Sequence, residues 1–173
     1  MLPSAPVTWD MLREATAADL ADINQIENHW IAESFAHFGT DPVPLAETTA
    51  AFQSATGRFP WVVKTDSGKV VGFARAGVWK GRAGYHWTTE IGVYVDPDYQ
   101  GSGVGGELYG LMFPKLQELG FHTVVAGIAL PNDASVRLHE RFGMTHAGTF
   151  PEMGFKHGAW RSVGYWYRIL EKS

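Results

Sequence analysis

The stretch YQGSGVGGELYG, residues 99–110, places four glycines within six positions. Residues without side chains let successive backbone N–H groups converge, and the start of a helix adds a partial positive charge. Such a loop can bind a phosphate or another anion. The sequence therefore predicts an anion site, and the run also satisfies the dinucleotide pattern G-x-G-x-x-G.

Three kinds of phosphate loop could contain these glycines. A P-loop ends in Gly-Lys-Ser/Thr, but Glu107 follows Gly106. A Rossmann loop directly follows the first strand and expects an acid about 20 residues later. Here a connection of five residues, 96–100, separates the preceding strand from the glycines, and the next predicted strand carries no acid. The pattern Q-x-x-G-x-G that begins at Gln100 fits better, and a glycine-rich connection without a ligand is the remaining alternative.

A second group of chemically able side chains precedes the glycines. Lys80, Arg82 and Tyr85 put two cations and a phenol within six positions, which suits a small dianionic substrate. A solvated basic loop is the alternative. Glu90 has aromatic residues three positions before it and four after it, and burial among them would raise the pKa of its carboxyl. A carboxylate in a salt bridge at a strand edge is the alternative there.

These residues must be positioned by a sheet of mixed direction. The β-rich runs WVVKT and VVGFARAGVW, separated by a turn, predict an antiparallel hairpin. TTEIGVYV predicts a strand before the glycines, and leucines at helical spacing predict a helix after them, which ends at Gly120 despite Pro114. Further helices are predicted from Leu20 to Ile31, between Pro44 and Ala55 and from Ala134 to Phe142, and further strands at HTVVAGIAL, Thr145–Phe150 and Val163–Ile169. This order predicts an α/β (α+β) fold.

Length and composition narrow the possible functions. A chain of 173 residues without repeats or linkers predicts one domain over residues 1–173, with its core at about 11–170. The net charge of −4 offers no basic surface for nucleic acid or an acidic membrane. There is no cysteine, and the histidines lack the paired spacing of a zinc site, so no metal site is predicted. No secretory signal or membrane-spanning run is visible, and a cytoplasmic protein is expected.

Four segments together resemble the GCN5-related N-acetyltransferase superfamily and, within it, the phosphinothricin acetyltransferase group. They are the Q-x-x-G-x-G loop, WKGRAGYHWTTEIGVYV, LPNDASVRLHERFG and GFKHGAWRSVGYW, in the order and spacing of that group. The likeness covers roughly Leu12 to Ile169. It implies a single-domain acyl-CoA N-acyltransferase fold, with a mixed, mostly antiparallel sheet flanked by helices. It also implies acetyl-CoA as co-substrate, with the pyrophosphate on the glycine loop.

The resemblance implies roles for individual residues. Glu90 is the general base, acting through water. His139 lies where many members place a tyrosine that protonates the leaving thiolate; a packed helix histidine, with water as the proton source, is the alternative. Asn132 caps a helix and contacts the coenzyme. The residues implied in coenzyme binding are Val93, Tyr94, Val95, Gln100, Gly101, Ser102, Gly103, Val104, Gly105, Gly106, Asn132 and, more weakly, Ser135.

For the acceptor, the resemblance implies that Lys80, Arg82 and Tyr85 bind the substrate while Phe38 covers it. The implied reaction is direct acetyl transfer, in a ternary complex, to the α-amino group of a small glutamate-like amino acid such as phosphinothricin. Ala83-Gly84 and Ile91-Gly92 replace more polar residues of the phosphinothricin enzymes, which keeps methionine sulfoximine, methionine sulfone or another amino-acid analogue as alternative acceptors. A non-catalytic acyl-CoA-binding regulatory module is the alternative from another class. The group also implies a homodimer.

Overall fold

A seven-stranded sheet lies at the centre of the computed structural model, which describes residues 11–171. Its strands are ordered β1-β2-β3-β4-β5-β7-β6. They are β1 (Leu12–Glu14), β2 (Trp61–Asp66), β3 (Lys69–Val78), β4 (Thr88–Val95), β5 (Thr123–Leu130), β6 (Thr145–Lys156) and β7 (Ala159–Ile169). Residues 1–10, where the sequence predicts no secretory signal, lie outside the described residues, as do residues 172–173.

Neighbouring strands are antiparallel except for β4 and β5. Their parallel pairing is short, because only residues 88–90 of β4 lie opposite residues 123–125 of β5. Beyond Glu90 the two strands separate, and the remaining edge of β4 has no strand partner within residues 11–171. The predicted mixed, mostly antiparallel sheet is confirmed. The separation of β4 from β5 opens a gap in the sheet.

The helices flanking the sheet are α1 (Leu20–Glu33), α2 (Leu45–Ala55), α3 (Val104–Glu118) and α4 (Asp133–Arg141). All four agree with the predicted helices to within a few residues, and α3 continues through Pro114. Gly120 and Gly143 follow α3 and α4 with φ values of 79° and 74°. This left-handed conformation favours glycine and ends a helix. None of the described helices is both long and apolar enough to cross a membrane.

The helices divide between the two faces of the sheet. On one face, α3 buries Leu108, Met112 and Leu116 completely. Burial of each such side chain contributes about 1.5–3 kcal/mol. On the other face, α1 buries Ile23 and Ile26 in a separate apolar cluster. The sheet therefore has two apolar cores, one on each of its two faces.

Side chains along β4 alternate between these two cores. Ile91 packs in the α3 cluster, whereas Tyr94 packs against the α1 cluster. Glu90 is four residues before Tyr94 on the same strand, so it lies on the α1 face. Arg75 of β3 lies opposite Gly92 and shares that face. The strand thus places Glu90 and Arg75 on one side of the sheet.

The last two strands are longer than predicted. They are joined by a two-residue turn in which His157 and Gly158 have φ values of 49° and 72°. Positive φ at both positions is typical of a type I′ hairpin turn. The sequence prediction ended the first of these strands at Phe150, directly before Pro151. In the structure the register is broken there, and pairing resumes at Gly154.

Candidate active site

The edge of β4 that faces the gap presents free backbone groups. The Asp96 N–H donates to the Val71 carbonyl on β3 (2.9 Å), and backbone groups alternate in direction along an antiparallel strand. Those of Val93 and Val95 therefore point into the gap. The Val95 carbonyl accepts from the Trp30 indole N–H (2.9 Å). The Val93 groups have no partner among the described residues and can pair with an extended ligand that adds to the edge.

The glycine loop connects this strand to α3. Gly101 and Gly103 have φ values of 74° and 94°, a region that costs other residues about 1–2 kcal/mol. Gly103 is the N-cap of α3. A Cβ built on Gly106 would lie 2.0 Å from the Arg141 guanidinium. Because these glycines have no side chains, the Arg141 guanidinium of α4 and the N-terminus of α3 can lie together at one anion site.

A cleft of about 830 Å³ is bounded by β4, β5, the glycine loop and α4. Eleven of the twelve residues predicted to bind the coenzyme line it: Val93, Tyr94, Val95, Gln100, Gly101, Gly103, Val104, Gly105, Gly106, Asn132 and Ser135. Ser102 is not among its lining residues, and its hydroxyl donates to the Tyr99 carbonyl. The Asn132 side chain also caps α4, because it accepts from the Ser135 N–H (3.2 Å). We call this volume the coenzyme cleft.

Sequence reasoning missed two arginines in the wall of the coenzyme cleft. Arg137 and Arg141 lie one turn apart on α4, and both line the cleft. Their i, i+4 spacing, on a helix that begins after Asn132, is the signal that could have indicated them. Their cationic groups, the glycine loop and the open strand edge together fit the pyrophosphate and the pantetheine arm of an acyl-CoA.

His139 lines the coenzyme cleft but is only 3% exposed. Its Nδ1 lies 2.7 Å from the Ser135 carbonyl oxygen, which can only accept, so Nδ1 carries a proton. Its Nε2 lies 2.8 Å from the Tyr109 hydroxyl, which can donate to a neutral ring. Burial lowers the pKa of the imidazole, and the bond to Ser135 opposes this. These contacts favour a neutral His139 with the proton on Nδ1.

A second cleft, of about 590 Å³, lies on the α1 face of the sheet and is also bounded by α2. Glu90 lines it at the point where β4 leaves β5. Four residues line both clefts: Ile91, Gly92, Tyr94 and Gly127. A Cβ built on Gly127 would lie 3.7 Å from Glu90 Oε1, so the two clefts meet beside this carboxylate. Burial raises the pKa of Glu90, and the Lys80 ammonium opposes this. We call this second volume the acceptor cleft.

An ion pair forms part of the wall of the acceptor cleft. Arg75 donates from Nη1 to Glu27 Oε2 (3.1 Å) and from Nη2 to Oε1 (2.5 Å). His37 donates from Nε2 to the same Oε1 (3.2 Å), because its Nδ1 accepts from the Gly39 N–H (2.9 Å). Burial would raise the pKa of Glu27, but the hydrogen bonds from His37 and Arg75 and the positive charge of Arg75 lower it to about 2. Sequence reasoning missed this pair, whose members are 48 positions apart.

The four residues predicted to bind the acceptor line neither cleft. Lys80 and Arg82 are exposed, and Tyr85 is 40% exposed. Phe38 packs over Gly154, where a Cβ would lie 2.6 Å from its ring. Lys80 is connected to the site by its electrostatic effect on Glu90. The substrate-binding role of all four stays a prediction.

Within residues 11–171, no group of three or more His, Cys, Asp or Glu residues is arranged to hold a metal ion.

Comparison with known proteins agrees with this geometry. The sequence model of the Acetyltransferase (GNAT) family matches residues 23–144. The phosphinothricin N-acetyltransferase of Streptomyces viridochromogenes is 44% identical over 160 residues, which are 92% of this chain and 87% of that protein. The L-methionine sulfoximine/L-methionine sulfone acetyltransferase of Salmonella typhimurium is 34% identical over 162 residues, which are 93% of this chain and 95% of that protein. A crystal structure of a GNAT superfamily phosphinothricin acetyltransferase from Sinorhizobium meliloti, in complex with acetyl-CoA, matches with a TM-score of 0.90 and 32% identity. The match covers 94% of this chain and 89% of the Sinorhizobium meliloti chain.

The chain belongs to the GNAT acetyltransferase family. It is an N-acetyltransferase, and acetyl-CoA is its co-substrate. The predicted resemblance to the phosphinothricin acetyltransferase group is confirmed. The coenzyme cleft, with its open strand edge, glycine loop and arginines, has the groups that this co-substrate needs.

Proposed function

We propose that the protein transfers the acetyl group of acetyl-CoA directly to the α-amino group of a small glutamate-like amino acid such as phosphinothricin, in a ternary complex. The observation that carries this proposal is the meeting of the two clefts beside Glu90. One cleft fits the coenzyme, and the other leaves room for an acceptor on the opposite side of β4. The activity named for the 44% identical relative supports the acceptor class.

The coenzyme cleft binds through backbone groups and arginines. The N–H groups at the start of α3, together with Arg141, hold the pyrophosphate. The Val93 backbone, which points into the gap, pairs with the extended pantetheine arm. A backbone N–H at this edge can also donate to the thioester oxygen and stabilise the negative charge that develops there. The thioester supplies the acetyl carbon to which the new C–N bond forms as the C–S bond breaks.

Glu90 accepts the proton that the acceptor ammonium must lose before it can attack. Burial raises the pKa of this carboxyl, which makes the carboxylate a stronger base than an exposed one. Gly77 lies opposite Glu90 and also lines the acceptor cleft. A Cβ built on Gly77 would meet no atom within 4 Å. The acceptor nitrogen, or a water that relays its proton, therefore has room beside the carboxylate.

The departing thiolate takes its proton from His139 or from water. A neutral His139 has one ring proton, which it donates to the Ser135 carbonyl, so transfer from this ring requires that bond to open. His139→Asn keeps an N–H donor near Ser135 and distinguishes the two sources. A fall in kcat of about 10²-fold or more would assign the proton to His139, and a fall below about tenfold would assign it to water.

Release of free coenzyme A measures turnover. The acceptors are phosphinothricin, methionine sulfoximine and methionine sulfone, and Glu90→Gln is the matched control. We expect turnover of phosphinothricin by the wild-type enzyme and little by the variant. Faster turnover of the methionine derivatives would favour the second candidate, which the 34% identical relative supports. No turnover of any of the three would overturn the acceptor class. Coenzyme binding without transfer to a broad amine panel would indicate a regulatory module.

We further propose that the enzyme is a cytoplasmic homodimer. Five apolar side chains on the last two strands are more than half exposed: Phe150, Met153, Phe155, Trp160 and Ile169. Phe155 and Trp160 are register partners with ring centres 5.2 Å apart. Exposed apolar groups of this kind support a contact surface. Light scattering should give twice the chain mass for the wild-type protein and a lower mass for Trp160→Glu; a monomeric wild type would overturn the dimer.

A further inference from the structure

The Glu27–Arg75 pair takes no part in the proton transfers proposed above. Burial of two charges costs several kcal/mol per ion, and well-packed apolar residues often stabilise a core as well or better. The Glu27 side chain is 5% exposed and that of Arg75 is 27% exposed. Stability alone therefore explains poorly why this pair lies in the wall of the acceptor cleft.

The Arg75 guanidinium is held in place without using all its donors. A guanidinium carries five N–H groups, and the two bonds to Glu27 use two of them. No other described residue accepts from the remaining three. The guanidinium also lies 5.3 Å from the centre of the Trp61 ring, which favours its position by a cation–π contact. Since Arg75 lines the acceptor cleft, its free donors are available to a molecule bound there.

Arg75 also lies at a suitable separation from Glu90. In the register of β3 and β4, Arg75 is opposite Gly92 and Glu90 is opposite Gly77. Arg75 and Glu90 are therefore diagonal neighbours on adjacent strands, and such positions are about 7–8 Å apart; the two glycines carry no side chain on this face. An α-amino acid can bridge such a span between its ammonium and its carboxylate, with a hydrogen bond of about 2.8 Å at each end.

We propose that Arg75 binds the α-carboxylate of the acceptor while Glu90 receives its α-amino group. This assignment rests on the proposed function, because it names the residue that recognises an amino acid at the same site. Arg75 determines specificity, whereas Glu27 and His37 are positioning residues that fix the plane of the guanidinium. Glu27 already neutralises the charge of Arg75, so recognition depends on directed hydrogen bonds. The site therefore discriminates against amines that lack the carboxylate.

A matched pair of acceptors tests the assignment: an amino acid that the enzyme acetylates and its α-carboxamide, which has the same amino group and side chain. The wild-type enzyme should favour the acid in kcat/KM by about 10²-fold. The double variant Glu27→Gln/Arg75→Gln removes the pair without leaving one charge buried alone. It should lower kcat/KM for the acid by about 10²-fold, mainly through KM, and change the carboxamide by less than about threefold.

The control double variant is Glu14→Gln/Lys115→Gln. It removes an ion pair in which the Glu14 side chain is 62% exposed, and it should keep the wild-type preference. Arg75→Lys retains the charge but loses the planar fork, and should lose about tenfold of the preference. If circular dichroism shows that Glu27→Gln/Arg75→Gln does not fold, the acceptor preference of Arg75→Lys tests the assignment instead. Equal losses for both acceptors, or a wild-type enzyme without preference, would overturn the assignment.

The proposed function and this assignment can fail separately. Turnover of amines but of no amino acid would contradict both the proposed acceptor class and the role of Arg75. With no turnover at all, the proposed function would fail, and calorimetric binding of the acid and the carboxamide to the coenzyme A complex would still test Arg75. Tighter binding of the acid that is lost in both Arg75 variants would support the contact. Equal binding of the two acceptors, or no binding of either, would overturn it.

Discussion

The two clefts present different kinds of groups to a ligand. In the coenzyme cleft, most of the groups proposed to bind the ligand belong to the backbone: the open edge of β4, the N-terminus of α3 and the glycine loop. In the acceptor cleft they belong to the ionisable side chains of Arg75 on β3 and Glu90 on β4, and Glu27 of α1 positions Arg75. A side chain can be exchanged without moving the sheet, whereas the backbone edge cannot. If the two clefts act in this way, acceptor choice can vary independently of coenzyme affinity.

The largest expected effect is that of Glu90→Gln. This change should lower kcat/KM by ~10²–10⁴-fold, which is the usual contribution of a positioned base. The affinity for acetyl-CoA, measured by calorimetry, should stay nearly unchanged because the coenzyme binds to other groups. The loss should shrink as the pH rises, since more of the acceptor is then a free amine. A raised KM with unchanged kcat and no rescue by pH would make Glu90 a binding residue instead.

Acid should destabilise the wall of the acceptor cleft. The pKa of Glu27 is lowered from 4.5 to about 2 in the folded protein, so its contribution is complete above pH 4.5 and is lost as the pH falls toward 2. This contribution is on the order of 3 kcal/mol. Denaturant unfolding between pH 6 and 3 should show the loss in the wild type and a weaker loss in Glu27→Gln. Glu14→Gln, at an exposed position, is the control; an equal pH slope in both variants would contradict the assignment.

The coenzyme cleft should be broken by a change in its backbone. Gly103→Ala forces a side chain into a φ of 94°, at a cost of about 1–2 kcal/mol. The Kd of acetyl-CoA should rise about tenfold as the loop relaxes, while the preference for acid over carboxamide stays the same. Gly110→Ala is the matched control, because it lies on the same helix and its Cβ would meet no atom within 4 Å. A changed acceptor preference in Gly103→Ala would show that the clefts are not separable.

The smallest expected effect is a shift in pH dependence. The Lys80 ammonium partly offsets the rise in the pKa of Glu90 that burial causes. Lys80→Met should therefore raise that pKa further and move the acid limb of the kcat/KM profile to higher pH, because a protonated Glu90 cannot act as a base. Lys69→Met, which changes an exposed lysine at the start of β3, should leave the limb in place. A shift to lower pH in Lys80→Met would contradict the electrostatic connection.

The fold could be predicted wherever local pattern decides it. Helical spacing and a glycine stop predicted α3, and two β-rich runs separated by a turn predicted β2 and β3. The full length of β6 could not be predicted, because Pro151 breaks the pattern while the pairing resumes at Gly154. That continuation depends on β7, whose contribution is not visible in the sequence of β6 itself.

The residues of the two clefts also differ in how far the sequence could predict them. The residues of the coenzyme cleft lie mostly in two segments, residues 91–106 and 127–141, so their spacing is informative. Arg75 and Glu27 meet only because α1 packs across β3, and no local pattern joins positions 48 apart. The sequence therefore predicted substrate binding by Lys80 and Arg82 in a basic loop. It did not indicate the Arg75 guanidinium, which lines the acceptor cleft.

In the proposed reaction, acetyl transfer occurs where the two clefts meet, with both substrates bound at once. Initial rates measured while acetyl-CoA and the acceptor are both varied test it most directly, together with the intact mass of enzyme incubated with acetyl-CoA alone. We predict reciprocal plots that intersect and a protein mass that does not change. Parallel plots, with one acetyl group added to the enzyme in the absence of acceptor, would contradict the account because they would show a covalent acetyl-enzyme intermediate.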